Sequence, residues 1–313
     1  MRVLISGGVG YIGGRLAVHL SRAGHKVVLG SRKLSKPPEW LPDAEMVQTK
    51  WNDQVELSRI CRNVDVVIHA AGMNAQDCLV DPVAALDFNG IATARFVTAA
   101  AEVGVKKFIY LSTAHVYASP LAGTITEATF PRNLHPYATS HLTGENAALH
   151  AGQSGLIKSV VFRLSNAIGA PMHRDVNCWG LLTNDLCRQA VERKQMTLYR
   201  DGSQLRDFVA VSEVVRIIAS FLGCEAKPLQ TNVFNLGSAV SLSLLDIAKA
   251  VQECCESIHG LKPEIVVNSL DSGGSSLNYR IEALEKHGIK VDPNLTLELE
   301  NLLRFCMREF GAR

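Results

Sequence analysis

The chain has 313 residues, of which 47% are hydrophobic and 20% charged, a composition that allows a substantial buried core. Its length exceeds that of one ordinary domain, so we expect one large domain or two closely joined ones. The 32 basic and 30 acidic residues give a formal net charge of +2, and the absence of any lysine and arginine run argues against nucleic acid as a partner.

The sequence also lacks the patterns of export and membrane insertion. Its first six residues run directly into a strand pattern, which leaves no room for a signal peptide. No uncharged stretch reaches the roughly 18 apolar residues of a membrane helix. The eight cysteines show neither Cys-x-x-Cys pairs nor the Cys/His spacing of a zinc site. We therefore predict a cytoplasmic protein with reduced thiols, no membrane partner and no metal.

In the first half of the chain, short β-rich runs alternate with helical patterns. The predicted strands are Val3–Ser6, Lys26–Leu29, Glu45–Thr49, Asp65–His69 and Lys107–Ser112, and the predicted helices between them are Ile12–Ala23, Gln54–Cys61 and Val83–Val103. Residues 66–68 form a continuous apolar run, as in a parallel strand covered on both faces. This alternation predicts an α/β fold with a doubly wound parallel sheet of the Rossmann kind.

The second half continues this pattern and then loosens. Its predicted helices are His135–Ala151, Cys178–Lys194, Ser212–Leu222, Ser241–Ser257 with Ser241 as N-cap, Arg280–His287 and Leu295–Phe310; its predicted strands are Ser159–Arg163, Met196–Tyr199, Arg206–Val211 as a return to the main sheet, Asn232–Leu236 and Glu264–Val267. We predict a dinucleotide-binding domain of residues 1–168 plus about 203–240. The remainder, about 169–202 and 241–313, is predicted to form a smaller, discontinuous C-terminal substrate domain.

A glycine-rich loop joins the first predicted strand to the first predicted helix. Residues 7–13 read GGVGYIG, which fits both Gly-x-Gly-x-x-Gly and Gly-x-x-Gly-x-x-Gly. Without Cβ atoms, such a loop lets backbone N–H groups approach a pyrophosphate at the positive end of the helix. We therefore predict a nicotinamide dinucleotide held here by Gly7, Gly10, Tyr11, Ile12 and Gly13.

The end of the second predicted strand bears on the choice between NAD and NADP. An acidic residue at this place would hydrogen-bond the adenosine ribose and favour NAD. The chain instead has Ser31, Arg32 and Lys33. Because an arginine can clamp a 2′-phosphate, these residues predict NADP, with NAD as the less favoured alternative.

Two further segments, together with the glycine loop, resemble those of a known family. Residues 111–117 read LSTAHVY and residues 137–141 read YATSH. Together with the glycine loop, they resemble the extended short-chain dehydrogenase/reductase family, whose best-known members are nucleotide-sugar epimerases and dehydratases. In that family the second segment reads Tyr-x-x-x-Lys, whereas this chain has His141 at the lysine position.

The resemblance assigns catalytic roles to three residues. Thr113, with Ser112 as the neighbouring alternative, is expected to hold the substrate oxygen. Tyr137 is expected to act as the general acid/base. The family's lysine lowers the pKa of the tyrosine and binds the nicotinamide ribose. At i+4, His141 lies on the same helix face, but a largely neutral imidazole gives weaker electrostatic support.

The resemblance also implies cofactor and substrate contacts elsewhere. Asp53 is expected near the adenine, and the turn Ala70-Ala71-Gly72 beside the cofactor. Asn166 and Arg206 match residues that contact the diphosphate of a nucleotide sugar, a task that suits a guanidinium. Family members often dimerise through helices corresponding to Val83–Val103 and His135–Ala151, which implies a homodimer.

The sequence thus predicts an NAD(P)-dependent oxidoreductase acting on a nucleotide-linked sugar, either an epimerase or a 4-ketoreductase. One alternative is a reductase of a non-sugar carbonyl, although Asn166 and Arg206 argue against an apolar substrate. The other is a dinucleotide-binding regulator with impaired catalysis, which the loss of the lysine favours and the intact Thr113 and Tyr137 oppose.

Overall fold

A computed structural model describes residues 1–199, 202–223, 231–268 and 276–311. Within these ranges the chain forms fourteen strands: β1 (Arg2–Ser6), β2 (Lys26–Ser31), β3 (Glu45–Gln48), β4 (Val66–His69), β5 (Lys107–Thr113), β6 (Gly123–Ile125), β7 (Lys158–Leu164), β8 (Asn166–Ile168), β9 (Gln195–Leu198), β10 (Leu205–Ala210), β11 (Val233–Leu236), β12 (Ser241–Ser243), β13 (Glu264–Val267) and β14 (Leu277–Tyr279).

The same ranges contain eleven α-helices: α1 (Tyr11–Arg22), α2 (Gln54–Cys61), α3 (Ala75–Val80), α4 (Pro82–Ala85), α5 (Ala92–Glu102), α6 (Pro136–Gln153), α7 (Leu182–Arg193), α8 (Val211–Ser220), α9 (Leu244–His259), α10 (Glu282–Lys286) and α11 (Thr296–Phe310). A π-helical segment, Leu86–Ile91, joins α4 to α5, and a short 3-10 turn, Ala114–Val116, follows β5.

Seven strands form one parallel sheet in the order β11-β7-β5-β4-β1-β2-β3. All four residues of β4 are buried, because helices cover both faces of the sheet at its centre. Leu16 of α1 and Val214 of α8 pack on one face, and Leu57 of α2 and Phe96 of α5 on the other. The predicted doubly wound α/β fold is confirmed.

A second apolar core lies among α7, α9 and α11. Beside it, β10 pairs with β8 and β12 in a three-stranded sheet, and β9 pairs with β13. The prediction that Arg206–Val211 returns to the main sheet is therefore wrong. The predicted domain boundaries remain a prediction.

Several helices begin or break at residues other than the predicted ones, because capping and hydrogen bonding set their limits. Ser243, and not Ser241, caps α9, because its hydroxyl accepts the Asp246 N–H while the Asp246 carboxylate accepts the Ser243 N–H. Ser241 lies in β12, opposite Asp207. The predicted helix Val83–Val103 is interrupted by the π-helical segment, and the predicted helix Cys178–Lys194 begins at Leu182.

None of the helices in the described ranges combines the length and the hydropathy that crossing a bilayer requires. The seven cysteines within those ranges carry free thiols and are buried.

Candidate active site

The glycine loop lies at the carboxyl edge of the sheet, between β1 and α1. Gly7 adopts a positive φ of 66°, and a Cβ there would lie 2.9 Å from the Ala71 backbone nitrogen. A Cβ on Gly13 would clash with the Gly7 carbonyl oxygen. Only glycine fits at either place, so the loop brings bare backbone to the head of α1.

The N-terminus of α1 is built to receive an anion. Gly10 is its N-cap and supplies no side-chain acceptor, and no acidic residue stands in the first turn. The first N–H groups of α1 are thus free of a capping side chain, in the arrangement that binds a pyrophosphate. The residues present therefore fit a dinucleotide. The Tyr11 phenol points elsewhere and donates to the Gly169 carbonyl at 3.0 Å, so its predicted contact with the cofactor would come from its backbone.

The residues predicted to lie near the adenosine of the cofactor differ in their surroundings. Ser31 ends β2, and the side chains of Arg32 and Lys33 are exposed. Asp53 is the N-cap of α2, where one of its carboxylate oxygens accepts the Glu56 N–H at 3.0 Å. Because that oxygen caps the helix, only the other carboxylate oxygen of Asp53 remains for a ligand.

The turn at residues 70–72 is held by a directed hydrogen-bond chain behind it. The Ala71 N–H donates to the Ser6 hydroxyl (3.3 Å), which lies 2.5 Å from His69 Nδ1. His69 Nε2 lies 2.9 Å from the Thr93 hydroxyl, which in turn donates to the Asn89 carbonyl at 2.7 Å. Because the Thr93 proton is donated to Asn89, His69 carries its own proton on Nε2 and accepts from Ser6.

Thr113 and Tyr137 face the same cleft. Its volume is about 340 Å³, and its walls include Thr113 at the end of β5 and Tyr137 in the first turn of α6. Burial raises the pKa of the Tyr137 phenol, and the Thr113 hydroxyl, hydrogen-bonded to it, opposes that shift. Tyr137 therefore carries its proton at neutral pH, ready to donate to a carbonyl oxygen.

Ser112 is committed to a different partner. Its hydroxyl donates to the Glu145 carboxylate at 3.0 Å. Glu145 also forms a buried ion pair with Arg163, whose guanidinium donates to the Tyr117 phenol at 2.8 Å. This network ties α6 to β5 and β7, and it leaves Thr113 as the hydroxyl available to a ligand beside Tyr137.

His141 lies one helical turn beyond Tyr137 and is only 5% exposed. Its ring meets the Tyr137 ring edge-on, with centroids 4.6 Å apart. Burial lowers the pKa of His141 to about 4, so the imidazole is neutral at pH 7. The positive charge that a lysine would place beside the tyrosine is absent here.

Both predicted substrate residues line the same cleft. Asn166 donates to the Asp207 carbonyl at 2.9 Å, and Arg206 donates to the Gln204 side chain at 3.3 Å. His115 also lines the cleft; burial, followed by the nearby Arg206 charge, lowers the pKa of its imidazole. The structure thus brings Thr113, Tyr137, Asn166 and Arg206 to one cavity.

Two contributors to the site had no assigned role in the sequence analysis. The Tyr110 hydroxyl lies 3.0 Å from His141 Nδ1. Tyr110 stands in the middle of β5 and looks in the sequence like an ordinary core aromatic, so no sequence signal marks it. His115 belongs to the quoted LSTAHVY segment, and its position two residues after Thr113 could have identified it as a neighbour of the cleft.

Comparisons with known proteins agree with this geometry. The family model described as "NAD dependent epimerase/dehydratase family" matches residues 3–237. A protein of Bacillus subtilis (strain 168), described as an uncharacterized UDP-glucose epimerase, YtcB, is 27% identical over 95% of this chain and 95% of its own length.

Solved structures show the same fold at lower identity. MoeE5 in complex with UDP-glucose and NAD is 24% identical, with a TM-score of 0.81 over 99% of this chain and 100% of that one. UDP-glucuronic acid 4-epimerase from Bacillus cereus, in complex with UDP-glucuronic acid and NAD, is 22% identical, with a TM-score of 0.78 over 98% of this chain and 99% of that one. The family model covers most of the sequence, including the glycine loop, Thr113, Tyr137 and Arg206, and the chain belongs to the NAD dependent epimerase/dehydratase family.

Proposed function

We propose that this protein is an NAD-dependent enzyme that changes the redox state or stereochemistry of a sugar carbon in a UDP-sugar. The observation that carries this proposal is that Thr113, Tyr137, Asn166 and Arg206 line one cleft. We assign proton transfer to Tyr137, orientation of the sugar oxygen to Thr113, and binding of the diphosphate to Asn166 and Arg206. The names of the relatives, which act on or bind UDP-sugars, support the choice of substrate.

In the proposed reaction, separate residues bind the cofactor, bind the substrate and transfer the proton. Backbone N–H groups at residues 7–13 would hold the pyrophosphate of the cofactor, and the turn at residues 70–72 would pack beside it. The bound nicotinamide supplies or accepts a hydride. Arg206 and Asn166 fix the diphosphate of the substrate, so the sugar reaches Tyr137. The Tyr137 phenol gives a proton to the sugar oxygen during reduction, and Thr113 orients that oxygen.

The test of this function is turnover of defined substrates by the purified protein. Incubation with NAD and a panel of UDP-sugars should yield a new sugar signal in NMR spectra. Arg206→Ala should weaken UDP-sugar binding by about 2 kcal/mol, the lower end for a charged contact, since Arg206 is only partly buried. NAD affinity should stay unchanged in this variant.

A matched control removes an arginine from the surface of α11. Arg304 pairs with Glu300 on an exposed helix face, so Arg304→Ala should leave UDP-sugar affinity unaltered. Equal weakening in both variants, or tight binding of a non-sugar carbonyl compound with none of UDP-sugars, would refute the proposed substrate class. Binding of both ligands without turnover would favour a dinucleotide-binding regulator.

We propose NAD as the preferred cofactor, which revises the prediction of NADP made from Ser31, Arg32 and Lys33. The family description and the NAD complexes of the neighbours support this choice. No hydrogen bond or ion pair to another described residue holds the exposed Arg32 guanidinium in place for a 2′-phosphate.

Titration with both reduced cofactors separates the two possibilities. NADH is expected to bind at least as tightly as NADPH, and Arg32→Ala should leave NADH affinity unaltered, as should Lys36→Ala, which removes an equivalent exposed charge nearby. Tighter binding of NADPH that is lost in Arg32→Ala alone would restore the NADP assignment.

The predicted homodimer and cytoplasmic location are retained as proposals. The apolar side chains of Val83 and Ile91, in the first segment that the resemblance assigns to dimerisation, are 77% and 46% exposed. Val80, at the end of α3 just before that segment, is 86% exposed. Such a group of exposed apolar side chains is consistent with a contact surface.

A further inference from the structure

His141 has a hydrogen-bond partner on one side of its ring. The Tyr110 hydroxyl of β5 lies 3.0 Å from His141 Nδ1, and both side chains are buried. The same hydroxyl lies 3.4 Å from the His141 carbonyl oxygen. The Thr93 hydroxyl is a further hydrogen-bonding neighbour of this phenol. Either Tyr110 donates to Nδ1, or Nδ1–H donates to Tyr110 while the phenol donates to the carbonyl or to Thr93.

The distances favour the first arrangement. Burial raises the pKa of Tyr110, so it is a phenol with one proton to donate. Donation to Nδ1 uses the contact at 3.0 Å, whereas donation to the carbonyl would use the long contact at 3.4 Å. The Thr93 hydroxyl already accepts the His69 Nε2–H at 2.9 Å. A neutral imidazole carries one N–H, and a proton accepted at Nδ1 leaves it on Nε2.

The opposite side of the ring is open. His141 Nε2 has no hydrogen-bond partner within the described part of the chain. A Cβ added to Gly72 would lie 3.5 Å from Nε2 and 3.3 Å from Cε1, so the glycine makes room for the imidazole. Gly72 is exposed and belongs to the turn that packs against the glycine loop. Nε2 thus faces the cofactor side of the site.

The second buried imidazole of this region provides a contrast. Both nitrogens of His69 are satisfied inside the protein, by Ser6 and Thr93. His141, in contrast, keeps one ring nitrogen, Nε2, without a partner among the described residues, on the open side of its ring next to Gly72. The ligand donor is therefore His141, whereas His69 is structural.

We propose that Tyr110 is a positioning residue that donates to His141 Nδ1 and fixes the imidazole as the Nε2–H tautomer, so that a neutral N–H donor meets a hydroxyl of the bound dinucleotide beside Gly72. The identity of that ligand rests on the proposed function. In this arrangement a directed neutral donor replaces the cationic donor of Tyr-x-x-x-Lys proteins, and Tyr110 supplies the direction.

Nitrogen NMR of histidine-labelled protein without cofactor tests the tautomer. At pH 7, His141 should show an unprotonated Nδ1 and a protonated Nε2, with its signals identified by their loss in His141→Gln. In Tyr110→Phe the Nδ1 signal should move to that of a nitrogen without a hydrogen bond. Tyr279→Phe removes another buried phenol, one that donates to the Arg163 carbonyl, and should leave the His141 signals in place. A protonated Nδ1 in the wild type would overturn the proposal.

NAD affinity tests the consequence. Tyr110→Phe should weaken NAD binding about 2–10-fold, the range of one hydrogen bond. His141→Gln should bind within about 3-fold of wild type, because its amide can accept from Tyr110 and donate to the ligand, whereas His141→Leu should bind more weakly. Equal losses in the glutamine and leucine variants would overturn the neutral-donor role. A wild type with the expected tautomer that binds no NAD would overturn the ligand assignment and the proposed function, while the Tyr110 contact would stand.

Discussion

Tyr137→Phe is expected to lower turnover by about 10²–10⁴-fold, the usual contribution of a positioned general acid or base. The substitution removes one oxygen atom from the wall of the cleft and keeps the ring that packs against His141. NAD affinity should therefore change little. A fall in turnover with unchanged cofactor binding would place the loss in the proton-transfer step.

The control for this variant is Tyr199→Phe, which removes a phenol from a side chain that is 74% exposed. It should leave turnover unchanged. If activity survives in Tyr137→Phe, then Tyr137 is not the proton donor, and His115, whose imidazole also lines the cleft, is the next side chain to test.

Much of the fold could be predicted because its signals are local and strong. The uninterrupted apolar run of β4 indicates a strand buried on both faces, and the structure places it near the centre of a seven-stranded sheet. The glycine loop between β1 and α1 is equally clear, because its close approaches exclude every other residue type.

The errors have two sources: strand pairing, which depends on tertiary structure, and a local capping motif that was overlooked. β10 has the apolar character of a core strand, but only its partners, β8 and β12, reveal that it lies outside the main sheet. Ser241 and Ser243 are both serines ahead of an apolar helix. The capping box with Asp246 distinguishes them, and the prediction overlooked its spacing.

In the candidate site, too, some residues could be predicted from motifs and others could not. Motif spacing led to Thr113, Tyr137, Asn166 and Arg206, and the structure brings these four side chains to one cleft. The partner of His141 could not be inferred, since Tyr110 is distant in sequence and its residue type is ordinary in a buried strand. Spacing alone also did not reveal that Asp53 uses a carboxylate oxygen to cap α2.

His141→Lys is expected to raise activity in the direction of alcohol oxidation. That direction needs the tyrosinate, yet burial raises the pKa of Tyr137 and the neutral His141 does nothing to lower it. A cation about 5 Å away at an effective dielectric of about 20 is worth roughly 3 kcal/mol, which would increase the tyrosinate at neutral pH by up to about 100-fold. The burial of the lysine itself offsets part of this gain, so about 10-fold is expected.

The pH dependence of the rates shows whether the substitution lowers the pKa of Tyr137. In the wild type the rate of oxidation should rise with pH throughout the neutral range, because Tyr137 deprotonates only above its ordinary range near ~10. In His141→Lys the rise should occur at lower pH. Reduction uses the protonated phenol, so the wild type should be impaired less in this direction, and the lysine variant should gain little.

His141→Gln is the matched control, because it keeps a neutral donor and adds no charge. Its profile should follow that of the wild type, with no shift toward lower pH. Lower activity of His141→Lys in both directions would instead mean that the pocket formed by Gly72, Tyr110 and Tyr137 accepts an imidazole and rejects the longer ammonium side chain. In that case the site is organised around a neutral histidine, and introducing a lysine cannot restore the support that lysine gives in Tyr-x-x-x-Lys proteins.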